Sequence, residues 1–440
     1  MSSGVGRVPE TRSETRFEDF KTAMSPTQAI AEANRCLYCA DAPCIPACPT
    51  QINIPEFIRK ITTGNLEGSA RTIFSSNIYG MSCARVCPDE ILCGGSCVFL
   101  ELGNPPIQIG KLQRYATDIA YERGWTFFEA GKDSGKSVGL VGGGPASIAA
   151  AHALRRMGHA VTVYEKRDIL GGLSTWGVAP YKLRADRAVE EVRWVMAIGG
   201  IEIRSKTAVG TDVTWDELDR RHDALFVGLG LGDDLWLNLP GADLDGVEGA
   251  VDYIERMKLG YVPIEKVRHA VVVGGGNTAL DAVRETLGLG IPNVTLLYRR
   301  TESDMPGYAH EWREAKNEGA RVVWRSLPLA MEGRGRVERV RVTRLDEAHQ
   351  PIEGSEFVLD TNLVLMAIGQ AKLSDLLSGL DGVKLENGCV QVDEHGATDR
   401  PGVFAGGDCV NGGKEVVNAV ADGKAAATAI DRYLRGGSDA

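Results

Sequence analysis

The chain has 440 residues, 43% of them hydrophobic, and a formal net charge of -10. That length can bury two or three separate cores, and the acidic balance argues against a nucleic-acid or anionic-membrane partner, whose phosphates are bound by clustered Lys and Arg. No signal-peptide pattern opens the sequence and nowhere do about twenty apolar residues run together, so a cytoplasmic protein with no membrane partner is expected.

The first segment, residues 1–133, is expected to be all-α. Apolar positions recur at three-to-four spacing over Pro26 to Arg35, Ile54 to Thr62, Glu67 to Ser75 and Ile109 to Glu122, the period of amphipathic helices. Eight of the ten cysteines fall here, as Cys36-x2-Cys39-x4-Cys44-x3-Cys48-Pro49 and Cys83-x3-Cys87-Pro88-x4-Cys93-x3-Cys97. A disulfide framework belongs to small secreted domains, and a cytosolic chain crowded in this way more often binds metal. Short spacings with a proline after the last cysteine of a run are a ferredoxin habit, in which that cysteine serves the other iron-sulfur cluster. Structural zinc held by four cysteines is the alternative, although its usual sign is two x2 pairs and one is present.

From Ser137 the texture changes to short β-branched runs alternating with helical stretches: Val138 to Val141, Ala160 to Tyr164, Ala224 to Val227, His269 to Val273, Val294 to Leu297 and Leu363 to Ala367. This is the pattern of βαβ units on a parallel sheet. Two stretches resemble each other, VGLVGGGPASIAAAHALRRMG from Val138 and AVVVGGGNTALDAVRETLGLG from Ala270. Each is a strand, a glycine turn and a helix, so the dinucleotide-binding unit occurs twice and two nucleotide cofactors are expected.

In the first copy, Gly142, Gly144 and Ser147 take the G-x-G-x-x-G positions, and Glu165 ends the next strand, where an acid accepts hydrogen bonds from ribose hydroxyls. The glycines permit the turn and the close approach of a pyrophosphate, which the helix N-terminus attracts. The second copy has Gly274, Gly276 and Ala279, but its next strand runs into Arg299 and Arg300. Two guanidiniums there bind a 2'-phosphate that an acid would repel, which favours NADPH over NADH. Gly171-Gly172 and the VFAGGDCV string with Gly407 and Asp408 are similar to the two-dinucleotide-binding flavoproteins. That resemblance places Asp408 at the ribityl chain of FAD and the N-terminus of the helix Lys414 to Tyr433 at the flavin. It also implies a split FAD domain, 134–250 and 372–440, around an inserted NAD(P)H domain, 251–371. Cys409 has no CxxC partner and is expected to be a packed small residue.

CLYCADAPCIPACPT, IFSSNIYGMSCARVCPDEILCGGSCV and PIQIGKLQRYATD together resemble the N-terminal half of dihydropyrimidine dehydrogenase and the separate flavin subunit of its bacterial form. The small subunit of glutamate synthase shares the architecture and is more similar at YRRTESDMPG, from Tyr298 to Gly307. The resemblance covers essentially the whole chain and implies FAD, NAD(P)H and two 4Fe-4S clusters. Carried over position by position, the first cluster takes Cys36, Cys39, Cys44 and Cys97, and the second takes Cys48, Cys87, Cys93 and Gln113. Cys83 is left over, or serves in place of Gln113.

The activity expected is oxidation of NAD(P)H through FAD, with electrons passed to the clusters and no acid/base side chain required in this half-reaction. The chain stops soon after the second FAD segment, so an FMN-containing subunit that reduces uracil or thymine is the expected partner, with the large subunit of glutamate synthase as the alternative. A zinc-binding nucleotide sensor without catalysis is the remote alternative. Thioredoxin-reductase-type chemistry is disfavoured because the inserted domain lacks a CxxC pair.

Overall fold

The computed structural model describes residues 4–436; the outermost residues of the first and last expected segments lie outside these. The helices of the cysteine-rich segment are α1 (Pro26–Ala33), α2 (Ile54–Thr62), α3 (Leu66–Ser76), α4 (Gly80–Val86), α5 (Val98–Glu101) and α6 (Ile109–Glu122), and among the described residues no strand precedes Ser137. Their starts follow from local chemistry. Ser25 and Gln28 form a capping box on α1, Asn53 caps α2 and Asn65 caps α3, each supplying an oxygen to an otherwise free amide.

The chain then runs β1 (Ser137–Val141), α7 (Pro145–Met157), β2 (Ala160–Tyr164), α8 (Leu173–Trp176), α9 (Ala185–Met196), β3 (Ile201–Arg204), α10 (Trp215–Arg221), β4 (Ala224–Val227), β5 (Val247–Gly249) and α11 (Ala250–Leu259). There follow β6 (His269–Gly274), α12 (Asn277–Gly288), β7 (Asn293–Leu297), α13 (Ala309–Asn317), β8 (Arg321–Val323), β9 (Ser326–Glu332), β10 (Arg339–Arg344), β11 (Phe357–Asp360) and β12 (Leu363–Ala367). The last elements are α14 (Ser374–Ser378), β13 (Leu385–Glu386), β14 (Cys389–Val390), β15 (Val403–Ala405), α15 (Asp408–Asn411) and α16 (Val416–Leu434).

One parallel sheet has the order β15-β4-β1-β2-β3, and a second, also parallel, has β5-β12-β6-β7-β8. The late strand β15 returns to the first sheet, so that unit is split in sequence. Two features differ from expectation. The boundary at 250/251 falls too late, because β5 pairs with β12 in the second sheet; a three-residue strand carries too little periodicity to be assigned to either unit. A three-stranded antiparallel sheet, β11-β10-β9, was also not anticipated. Its signal was present, since Val340 and Val342 flank the half-buried Arg341 after the exposed Arg339 and pack inward on Val337 and Met331.

The cysteine-rich helices share one apolar core with the first sheet, in which Phe57, Ile58 and Leu112 join Val138, Leu140 and Ile148. Phe74 of α3 lies 4.5 Å, ring to ring, from Trp194 of α9. The N-terminal residues are not an independent part of the helical segment. Val5 O accepts from Leu170, Glu14 accepts from the amide of Ala185, and Ser13 N donates to Gly260 O. No helix among the described residues is long and apolar enough to cross a membrane.

Candidate functional site

Between the two sheets lies a cleft of about 290 Å³ that opens into an adjoining space of about 650 Å³. Gly142, at φ +98°, makes the turn out of β1 where an added Cβ would strike Gly228 O at 2.4 Å, a close approach open to glycine alone. Gly144 starts α7, and Gly172 approaches it so closely that a Cβ would sit 2.9 Å from the Gly144 Cα. Glu165 takes the amide of Gly143 on one oxygen and that of Arg167 on the other, both at 2.7 Å. It therefore pins the glycine turn as well as facing the cleft. Asp408, whose carboxyl is pushed up by burial, and Gly407 complete that wall, and α16 begins there with no side-chain cap on its free amides. Gly171 lies behind the wall and donates to Gly143 O.

Ser147 and Ala279, the small residues that end the two fingerprints, lie inside the fold and away from the cleft lining. Ser147 is fully buried, its Oγ has no partner, and it packs where Gly228 passes α7. Ala279 packs beneath Gly274 in the same way. Both occupy the third fingerprint position, which serves helix-strand packing and not the ligand surface. In the second unit Gly274 and Gly276 lead into α12, and the loop after β7 folds back on them through Gly307 N to Gly275 O and Tyr308 N to Asn277 Oδ1. Arg299 and Arg300 stand exposed at the end of β7, and among the described residues neither enters an ion pair.

Sequence reasoning missed the groups that close the cleft between the units. Lys182, from the loop before α9, bridges Asp281 of α12 at 2.8 Å and Glu311 of α13 at 2.6 Å. Tyr308 donates to Glu415 at the start of α16. None belongs to a motif, and only the packing of one unit on the other brings them together.

Cys36, Cys39, Cys44 and Cys97 line one cavity of the helical segment. Cys48, Cys87, Cys93 and Gln113 line a second, together with Cys83, Asp89 and Asn77. The short spacings bring residues 36–44 together, while Cys97 joins them and Cys48 lies in the other cavity, the division that the resemblance implied and spacing alone did not. A hydrogen bond with Cys83, and then burial, push the Cys87 thiol well up, and burial pushes the Cys93 thiol well up and that of Cys44 up to about 12. Thiolates in such places need a strong positive partner, which an iron-sulfur core supplies. Gln113 is buried and donates its Nε2 to Gly80 O at 2.7 Å, so its carbonyl oxygen is the end left to ligate. Cys409 is packed against Val227 O and Gly406 O with its thiol pushed up to about 12 by burial.

The cleft and the second cavity share two walls. At the end of α4, Val86 faces the cleft and Cys87 the cavity; at the start of α16, Val416 and Val417 divide in the same way. The first turn of α4 has no capping side chain of its own, and the buried Glu191 of α9 supplies one, accepting from Met81 N at 2.9 Å and Ser82 N at 3.2 Å.

Residues 136–423 match the model of the pyridine nucleotide-disulphide oxidoreductases, and residues 12–125 that of dihydropyrimidine dehydrogenase domain II, a 4Fe-4S cluster domain. The chain belongs to the pyridine nucleotide-disulphide oxidoreductase family. It is an NAD(P)H-dependent FAD oxidoreductase that carries a 4Fe-4S domain ahead of its nucleotide-binding units. It is 33% identical to the glutamate synthase [NADPH] small chain of Azospirillum brasilense, over 99% of this chain and 96% of that one. It is equally 33% identical to the NAD-dependent dihydropyrimidine dehydrogenase subunit PreT of Escherichia coli O157:H7, over 96% and 98%. Among solved structures, FprA of Mycobacterium tuberculosis in complex with NADPH shares the fold of 68% of this chain and 85% of its own, with a TM-score of 0.56 and 19% identity.

Proposed function

We propose that the chain is the electron-input subunit of a dihydropyrimidine dehydrogenase, taking hydride from NAD(P)H and delivering electrons through two 4Fe-4S clusters to a partner subunit that reduces uracil or thymine. The observation that carries the electron-input part is the pair of shared walls, Val86/Cys87 and Val416/Val417, which put the cleft and the second cysteine-lined cavity back to back. A flavin, when bound, accepts a hydride and gives up electrons one at a time, which is what joins a nicotinamide to iron-sulfur centres.

The chain's own residues do the holding. Gly142, Gly144 and the N-terminus of α7 would receive the FAD pyrophosphate, with Glu165 and Asp408 on its sugar hydroxyls and Gly172 leaving room for the main chain. The free amides at the start of α16 would face the flavin, where partial positive charge favours an electron-rich ring. Gly274, Gly276 and α12 would hold the second nucleotide, with Arg299 and Arg300 on a 2'-phosphate. Cys36, Cys39, Cys44 and Cys97 would hold one cluster, and Cys48, Cys87, Cys93 and Gln113 the other.

The pyrimidine reading is supported by the match to dihydropyrimidine dehydrogenase domain II and by Gln113 in the second cavity. A second reading, the small subunit of glutamate synthase, is favoured by Arg299 and Arg300. They suit NADPH, which the name of the Azospirillum relative carries, whereas that of the dihydropyrimidine dehydrogenase relative is NAD-dependent. Both relatives are named as parts of larger enzymes, so a partner subunit is expected here too. The deciding experiment is anaerobic affinity purification from the native host with identification of what copurifies in fixed ratio. A partner that holds FMN and turns over uracil supports the first reading, and a large amidotransferase subunit overturns it in favour of the second.

A further inference from the structure

The wall of the second cavity contains a buried amide that the ligand set does not use. Asn77 follows α3 and is fully buried; its Oδ1 accepts the amide of Tyr79 at 2.9 Å. A backbone N-H can only be met by an oxygen, so this bond fixes which way the amide faces. The Nδ2 group is left buried with no hydrogen-bond partner, although buried N-H groups are nearly always paired and an unpaired one calls for an explanation. Asn77 lines the second cavity beside Cys48, Cys87, Cys93 and Gln113. Of the other polar groups there, Gln113 Nε2 is bonded to Gly80 O and the Cys48 thiol meets Thr50 Oγ1.

We infer that Asn77 donates its Nδ2 hydrogen to a sulfur of the second cluster and thereby sets that cluster's reduction potential. The inference rests on the cluster assignment above. Reduction adds negative charge to the cluster, and a donor aimed at sulfur stabilises the reduced form, so hydrogen bonds to the sulfurs raise the potential. Asn77 acts on the cluster directly through this hydrogen bond and exchanges no proton or electron itself.

The test is an EPR-monitored redox titration of the purified full chain beside Asn77→Asp and Asn77→Ala, with iron content measured on each. Asp keeps an oxygen for Tyr79 N and replaces the donor by an acceptor, whereas Ala removes both. Both variants should hold wild-type iron, leave the first cluster's midpoint unchanged and lower that of the second, the Asp variant by more. A tenfold shift in the reduction equilibrium, about 59 mV for one electron, is the size expected for one lost hydrogen bond. Two unchanged midpoints at full iron content would overturn the inference. So would loss of the second cluster from both variants, which would make Asn77 a brace for the turn between α3 and α4. If the wild-type chain itself holds no second cluster, the assignment of that cavity fails and the inference falls with it, a result separable by iron content alone.

Discussion

Asn77 and Gln113 present opposite ends of the same chemical group to one cavity. Gln113 donates its Nε2-H to Gly80 O and keeps a carbonyl oxygen, while Asn77 accepts the N-H of Tyr79 on its Oδ1 and keeps an N-H. Two backbone partners on neighbouring residues of one turn thus decide which amide keeps an oxygen free and which keeps an N-H free. An oxygen ligand in place of a fourth thiolate also reduces the negative charge around that centre, a direct lever on its potential.

Ligand identity is read by iron content. Cys97→Ala should lower iron from about eight to about four atoms per chain, because one of two four-iron clusters loses a ligand that no neighbour replaces. Gln113→Ala should do the same to the other cluster, and Cys83→Ala should leave iron unchanged. The opposite result for the last two would transfer the ligand role to Cys83, which borders the same cavity.

The proposed role of the exposed arginines after β7 is read by nucleotide choice. Replacing both Arg299 and Arg300 by Ala should weaken NADPH by roughly tenfold to a hundredfold, since a hydrogen bond to a charged group contributes about 1.5–3 kcal/mol. NADH binding should change little. Flavin bleaching against nucleotide concentration measures both, and equal effects on the two would show that the pair does not read the 2'-phosphate.

Gly172 adopts φ +55°, ψ -146° and touches Gly144. A side chain there meets both a rare backbone region and main chain at 2.9 Å, so Gly172→Ala should cost about 1–3 kcal/mol of local strain. The expected readout is protein that retains its iron but loses flavin on gel filtration.

The buried Lys258 makes stability depend on alkaline pH. It is fully buried on α11 and donates to Ser174 O, Val178 O and Leu183 O, tying the second nucleotide unit to the loop that borders the cleft. Burial lowers its pKa from 10.5 to about 8. The unfolded chain therefore binds more protons between these values, and stability rises with pH across that window. The full rise is about 3 kcal/mol. Denaturant unfolding from pH 7 to 10.5 should show it in the wild type and not in Lys258→Met; parallel curves for the two would remove the assignment to Lys258.

Much was decided by local chemistry and was legible in order along the chain. The helices Ile54–Thr62 and Ile109–Glu122 and the strands Ala160–Tyr164, Ala224–Val227 and Leu363–Ala367 fall where periodicity places them, because each needs only its own residues to define an apolar face. The glycine turns and the cysteine runs were legible for the same reason, since their geometry is set within a few residues. Tertiary structure decided what depends on meeting a distant partner. It assigned β5 to the second sheet, packed Ser147 against Gly228 and Ala279 against Gly274, and gathered Cys97 into one cavity with residues 36–44, a grouping that spacing alone did not give. It also brought the Glu191 carboxylate, 109 residues on from Ser82, to the start of α4, and set Lys182 against Asp281 and Glu311. A carboxylate or amide in a sequence carries no mark of the buried amide it will meet. Which of its atoms stays free for chemistry is fixed only when the fold satisfies the others.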